Sequence, residues 1–269
     1  QLTMGVPRGA FLYLARAIRD AVAVPVMASN RCNDPYLAEA AVRDRLADLI
    51  NMGRPLIADP ELPNKVAAGQ ADQVVRCVAC NQGCFDNVFA ARPVTCTVNP
   101  RAGREAELPP PQPAPEAREV LVVGAGPAGL MAAVTAARRG HRVTVLERGG
   151  RPGGQLLLAA ASPGRRELAT VVDDLGRQAE QLGVAVELGH EATPRTIAQR
   201  GPDVVILATG ARPATPDLEG VELPHVVQAW DVLAGRAAVG PRVAVVGGGP
   251  VAVDVAIDLS QRGTLDGET

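Results

Sequence analysis

The stretch EVLVVGAGPAGLMAAVTAARRGHRVTVLE, residues 119–147, decides the fold class. Residues 119–123 are an apolar, valine-rich run that predicts a buried strand. Apolar residues at helical spacing follow Gly129 and predict a helix. A second β-branched run then ends at Glu147. Gly124, Gly126 and Gly129 stand between the first strand and the helix with the spacing G-x-G-x-x-G. In such a turn the first glycine permits the tight bend and the second lets the backbone approach a pyrophosphate. The third lets helix and strand pack closely. The helix N-terminus adds free N–H groups and a positive dipole end for phosphates. Glu147 lies about 20 residues beyond the turn, where a carboxylate can take the ribose hydroxyls of an adenine dinucleotide. Strand, turn, helix, strand and acid all occur in order, which predicts a Rossmann-like dinucleotide-binding unit.

Towards the C-terminus, GRRELATVVDDLGRQAEQLG (164–183) reads as an amphipathic helix, and VAVEL (184–188) and DVVILATG (203–210) as further strands. RVAVVGGGPVAVDVAIDL (242–259) then echoes residues 119–136. Gly247 and Gly249 repeat the turn, with Ala252 in place of the third glycine. Two nucleotide-binding units in tandem are expected. The strand that would carry the second ribose-reading acid is not in the chain, so NADH and NADPH are not distinguished.

Towards the N-terminus, five prolines fall within residues 109–115. Proline fixes its own backbone and lacks a donor, so residues 108–118 read as a semi-rigid linker between domains. Before it, RCVACNQGCFDNVFAARPVTCTVNP (76–100) holds four of the five cysteines. Their spacing is Cys77-x2-Cys80-x3-Cys84-x11-Cys96, a set of four thiolates that can hold either a tetrahedral zinc or an iron–sulfur cluster. A disulfide does not suit a reducing compartment. The neighbouring dinucleotide turn favours a redox group. Cys32 stands alone and reads as an inert packed thiol.

Residues 1–70 alternate helix and strand. PRGAFLYLARAIRDAV (7–22) and DPYLAEAAVRDRL (34–46) have helical periodicity, the first with Pro7 at its start. VPVMAS (24–29) and ADLINMGRP (47–55) read as short buried strands. Such alternation indicates parallel strands with crossover helices.

The composition is that of an ordinary globular chain, 47% apolar and 21% charged, with a net charge of -2. That charge gives no electrostatic reason to expect a nucleic acid or an anionic membrane as partner. No apolar run is long enough to span a bilayer and no secretory signal is visible, so a cytoplasmic location is expected. A small-molecule substrate is the expected partner. Oligomeric state is not readable.

CVACNQGC (77–84), CTVNPRAG (96–103), VVGAGPAGLMAA (122–133), GHRVTVLE (140–147) and GGQL (153–156), in this order, resemble the iron–sulfur flavoprotein branch of the old yellow enzyme family. That branch includes 2,4-dienoyl-CoA reductase and trimethylamine dehydrogenase. The resemblance implies the C-terminal end of a TIM barrel that binds FMN (1–70) and a four-cysteine cluster segment (71–107). After the linker it implies a FAD-binding domain (119–240) and the start of an NAD(P)-binding unit (241–269). ASNRCNDP (28–35) and NMGRPLIADP (51–60) are similar to the family's last two barrel strands.

By the same resemblance Arg31, Gly53 and Arg54 would hold the FMN phosphate, and Cys77, Cys80, Cys84 and Cys96 would ligate a [4Fe-4S] cluster. Ala128 within the glycine turn, Glu147, Gln155 and Arg165 would contact FAD, and Ala192 its adenine end. The implied activity passes electrons from NAD(P)H through FAD, the cluster and FMN to an enoyl-type C=C bond. Two alternatives remain at this level within redox chemistry. One is an amine dehydrogenase or N-demethylase of the same family, running electrons the other way. The other is a stand-alone electron-transfer module. A zinc-stabilised nucleotide-binding scaffold is a third. A whole barrel takes about 250 residues, and only 76 residues precede Cys77. The chain is therefore expected to be an internal piece of a longer enzyme. His141, His190 and His225 read as surface residues, not catalysts.

Overall fold

A computed structural model describes residues 3–262. The first segment builds helix α1 (Leu12–Ala21), strand β1 (Met27–Ala28), helix α2 (Pro35–Arg43) and strand β2 (Leu49–Ile50). The two strands pair in parallel, Met27 with Leu49 and Ala28 with Ile50. Asp34 caps α2, its carboxylate accepting from the N–H groups of Tyr36 and Leu37, with Pro35 pre-set for the first turn. Leu12, Ala15, Ala28, Ala41 and Ala47 form the core of this segment.

Two expectations shift here. Helix α1 begins at Leu12, not at Pro7; residues 7–11 form turns, and Gly9 donates its N–H to Arg31 O at 3.1 Å. The strands are two residues long, shorter than their apolar runs. A strand exists only as far as a neighbour pairs with it, and Met27 and Leu49 are exposed. Helices α3 (Gly53–Ala58) and α4 (Leu62–Ala67) follow β2. The cysteine segment then runs as irregular backbone around the short helix α5 (Phe85–Phe89).

The second segment contains β3 (Glu119–Val123), α6 (Pro127–Arg138), β4 (Arg142–Glu147), α7 (Gln155–Ala161), α8 (Ala169–Gln181), β5 (Ala185–Leu188), α9 (Pro194–Arg200) and β6 (Val204–Leu207). Its four strands form one parallel sheet in the order β5-β4-β3-β6. The chain moves outward from β3 to β4 and β5, then returns to the other side of β3. The strand order therefore reverses at β3, and the carboxyl ends of β3 and β6 frame the crevice in which such sheets take ligands. Val122, Leu130, Ala133, Val134 and Val145 are buried where α6 and α8 cover the sheet. The same core continues into the cysteine segment through Val78 and Val98.

Beyond α10 (Ala229–Leu233), the described residues of the second glycine unit form one helix, α11 (Pro250–Arg262). Residues 242–247 were expected as a strand and pair with none among the described residues. Val243, Val245 and Val246 stand exposed. Residues 263–269 of the expected NAD(P)-binding unit lie outside the described residues.

Candidate functional site

The first glycine turn gives each glycine a separate job. Gly124 has φ +104°, and a Cβ there would lie 2.4 Å from the carbonyl oxygen of Ala208, just past β6. A Cβ on Gly129 would fall 1.9 Å from the carbonyl oxygen of Gly124. Both positions are sealed by backbone. A Cβ on Gly126 would meet nothing within 4 Å. The middle glycine alone faces open space, at the N-terminus of the twelve-residue helix α6, where a pyrophosphate can approach the backbone.

Glu147 ends β4 beside this turn. Its carboxylate accepts from Ala125 N–H at 2.9 Å and from Gly149 N–H at 2.7 Å. Each oxygen keeps a further lone pair for a hydroxyl. The loop carrying Ala192 is tied to the same place, because His190 donates its N–H to Glu147 O at 2.9 Å and Gly189 donates to Gly149 O at 2.9 Å. Gly153 N–H reaches Ala125 O at 2.8 Å, which lays GGQL across the turn. Gln155 there donates to Ala211 O at 2.8 Å. Ala128 follows Pro127 in the first turn of α6. The structure thus brings Glu147, Gln155 and the loop that carries Ala192 around the glycine turn, while Ala128 lines a concavity along α6. Arg165 has a different partner: its guanidinium pairs with Asp254 of α11 at 2.8 Å. Residues 208–211, absent from the expected set, close the crevice over Gly124 and Gln155. Their signal was their position, directly after a strand at its carboxyl end.

The concavity that Ala128 lines, about 870 Å³, runs along the side of α6 past Met131 and Thr135 to Arg118 and His141. Arg118 N–H donates to His141 Nδ1, His190 Nδ1 meets Leu188 O, and His225 is exposed.

The four cluster-segment cysteines line one narrow cavity of about 20 Å³ with Arg54, Val78, Asn81 and Thr97 among its walls. Among the described residues, no three His, Cys, Asp or Glu side chains are grouped closely enough to hold a single metal ion. Hydrogen-bond donors surround the sulfurs: Ala79 N–H points to Cys77 Sγ at 3.4 Å, and Cys80 Sγ lies 3.2 Å from Thr97 Oγ1. Burial pushes the Cys77 and Cys96 thiols up; the N–H groups of Ala79 on one, and of Val98 and Asn99 on the other, pull the opposite way. Ala79 and Asn81 hold left-handed backbone, φ +51° and +64°, a strained state for residues with side chains. Partly buried thiols, two of them with backbone N–H donors at the sulfur, suit thiolates bound to metal. The residues fit such a group by donor type and by the single cavity they share.

A cleft of about 160 Å³ adjoins this cavity, lined by Arg31, Asn33, Gly53 and Arg54, with Cys77 and Ala79 shared between the two. Arg54 donates to Asn81 Oδ1 at 2.6 Å and lies 5.5 Å from the Phe85 ring centroid. Arg31 differs from expectation. Its side chain is 1% exposed and is gripped by Glu167, with Nη2 at 2.6 Å and Nη1 at 3.0 Å, while Nε donates to Val6 O. Arg8 also reaches Glu167, at 3.1 Å. Glu167 belongs to the second segment, so Arg31 ties the two segments together. One N–H remains on each of its terminal nitrogens. Cys32 is buried, with its thiol pushed up by burial.

At the second turn, Gly247 has φ +127° and Gly249 precedes α11 with nothing within 4 Å of an added Cβ.

Comparison with known proteins settles the family. Residues 118–265 match the model of the pyridine nucleotide-disulphide oxidoreductases, and residues 8–73 match the NADH:flavin oxidoreductase / NADH oxidase family. The chain belongs to the pyridine nucleotide-disulphide oxidoreductase family, with a further match to the NADH:flavin oxidoreductases in its first segment. Among its relatives, a metal reductase of Desulforamulus reducens is 49% identical over all of this oxidoreductase chain, which covers 41% of that protein. An NADH oxidase of Thermoanaerobacter brockii is 42% identical over 94% of the chain, covering 40% of its own length. The solved structure of a 2-naphthoyl-CoA reductase superposes with a TM-score of 0.93 at 38% identity, covering 97% of this chain and 40% of that one. The oxidoreductase chain therefore spans about two fifths of the length of these relatives. Among the described residues no helix is long and apolar enough to cross a membrane.

Proposed function

We propose that this chain is part of an NAD(P)H-dependent flavin and iron–sulfur oxidoreductase that reduces an activated C=C bond in an enoyl-type substrate. When bound, FAD, a [4Fe-4S] cluster and FMN would supply hydride acceptance, single-electron passage and hydride delivery. The protein's own part is to bind, orient and screen these groups. Gly124, Gly126, Ala128 and Gly129 would present α6 to the pyrophosphate of FAD, and Glu147 would accept its ribose hydroxyls, with Gln155 and Ala192 flanking. Arg165 joins this set only by leaving the buried Asp254 carboxylate, which would then need another partner. Cys77, Cys80, Cys84 and Cys96 would ligate the cluster. Gly53 and Arg54 would take the FMN phosphate, with the remaining N–H groups of Arg31 beside them. Gly247 and Gly249 would approach NAD(P)H.

Contiguity carries this reading: Arg54, Cys77 and Ala79 line both the cysteine cavity and the neighbouring cleft. A redox group in one is then a neighbour of a redox group in the other. The test is anaerobic turnover of the longer protein with NAD(P)H and an enoyl-CoA thioester. The expected result is nicotinamide oxidation matched by saturated thioester. Flavin reduction by a secondary amine, without nicotinamide oxidation, would instead mark an amine dehydrogenase. A second reading is favoured by the 49% identity to a metal reductase over the whole chain. In it the terminal acceptor is a ferric or other oxidised metal species. Ferric citrate in place of the thioester separates the two.

A further inference from the structure

Helix α8 buries Val171, Val172, Leu175 and Ala179 against the sheet, and Asp174 falls on the same face, 3% exposed. A carboxylate there costs free energy unless its oxygens are fully engaged, and an apolar residue of similar size would pack at no such cost. Its oxygens are engaged almost wholly by one residue from outside the second segment. Oδ2 accepts the backbone N–H of Arg76 at 3.0 Å. Oδ1 accepts Arg76 Nη2 at 2.6 Å and Nε at 3.0 Å, and also Arg177 Nη2 at 2.8 Å. Arg76 immediately precedes Cys77. From the opposite side, Asn33 of the barrel-end segment donates Nδ2 to the carbonyl of Cys77 at 2.5 Å. The other amide atom of Asn33, Oδ1, is buried without a partner, and Asn33 lines the cleft beside Arg31 and Arg54. The dipeptide Arg76–Cys77 is therefore held from both segments at once.

We propose that Asp174 is a positioning residue for the cysteine segment: by holding both the backbone N–H and the guanidinium of Arg76, it fixes Cys77 against the dinucleotide-binding sheet and sets the local field at the group the cysteines bind. This rests on reading the four cysteines as ligands of a redox cluster. Asp174 contributes a fixed negative charge, and Arg76 a positive one, next to the first ligand. Charge and hydrogen bonding around a cluster's sulfurs tune its potential, and partners of ligating residues commonly govern activity or affinity by about ten- to a hundred-fold.

The test uses Asp174→Asn and Arg76→Gln in the full-length holoprotein, purified anaerobically. Iron content, cluster midpoint potential and backbone hydrogen exchange would be measured on each. Asp174→Asn is expected to raise the potential, because it removes a negative charge and leaves Arg76 unopposed. Arg76→Gln is expected to lower it. In Asp174→Asn the amides of residues 76–80 should exchange about tenfold faster or more, as local opening becomes easier. Iron-loaded variants with unchanged or same-direction potentials, or with unchanged exchange, would overturn the proposal. If Asp174→Asn fails to fold, the Arg76→Gln potential decides. If the unmodified protein holds no iron, the cluster reading fails by itself, and the exchange measurement still decides whether Asp174 positions the segment.

Discussion

The two glycine turns share a motif and differ in their surroundings. VVGAGPAG at residues 122–129 sits at the end of a strand paired on both sides, and two of its glycines are sealed against backbone. VVGGGPVA at 245–252 follows a run that pairs with nothing described, and its glycines stand in the open. Equivalent positions make the contrast plain: Val122 is 0% exposed, and Val245 is 38% exposed. A glycine motif therefore specifies a turn and the start of a helix, both local events. Whether the preceding run becomes a strand depends on partners supplied from far along the chain.

Substitutions at matched positions can break or sharpen this comparison. The largest difference is expected from Gly124→Ala against Gly247→Ala. The first forces a Cβ onto the Ala208 carbonyl and should cost about 3 kcal/mol or prevent folding, while the second meets only the strain of its positive-φ backbone, about 1–2 kcal/mol. Denaturant unfolding measures both, and equal losses would show that the second turn is as tightly packed as the first. Next come the strand valines. Val122→Ala should cost about 2 kcal/mol through lost burial, and Val245→Ala no more than about 0.5 kcal/mol.

Gly126→Ala separates binding from folding within the first turn. Its Cβ has room, so thermal unfolding should not move. FAD affinity should fall at least about tenfold, or about 1.4 kcal/mol, as read by flavin titration of the flavin-stripped protein. A destabilised variant with normal affinity would assign Gly126 to packing.

The smallest effect concerns acid. Arg200, hydrogen-bonded to Glu187 of β5, holds that carboxyl below its ordinary value. A depressed carboxylate contributes stability above its unfolded pKa and loses it as pH falls through the folded one. The first unit should therefore weaken slightly below about pH 4.5, and Glu187→Gln should flatten that slope in pH-dependent unfolding.

What the sequence made legible follows the same division. The first turn could be read because strand, glycines, helix and Glu147 are local and mutually consistent. The cysteines could be read as one set, since all four line one cavity. The strand expected before the second glycine turn has no partner among the described residues, because pairing is not a local property. The ion pair of Arg31 could not be read, because Glu167 stands 136 residues away. Asp174 left a faint signal, an acid on the apolar face of an amphipathic helix, at the spacing of Val171 and Leu175. Such a residue is a buried carboxylate in search of a cation, and nothing in the sequence pointed to Arg76.

Metal analysis of the anaerobically purified longer protein tests the central claim most directly, that the four cysteines hold a redox group beside the dinucleotide-binding unit. Iron and acid-labile sulfide in equal amounts, lost together in Cys84→Ser, is the result predicted. Stoichiometric zinc with no sulfide would contradict it and leave the cysteine segment a structural clamp.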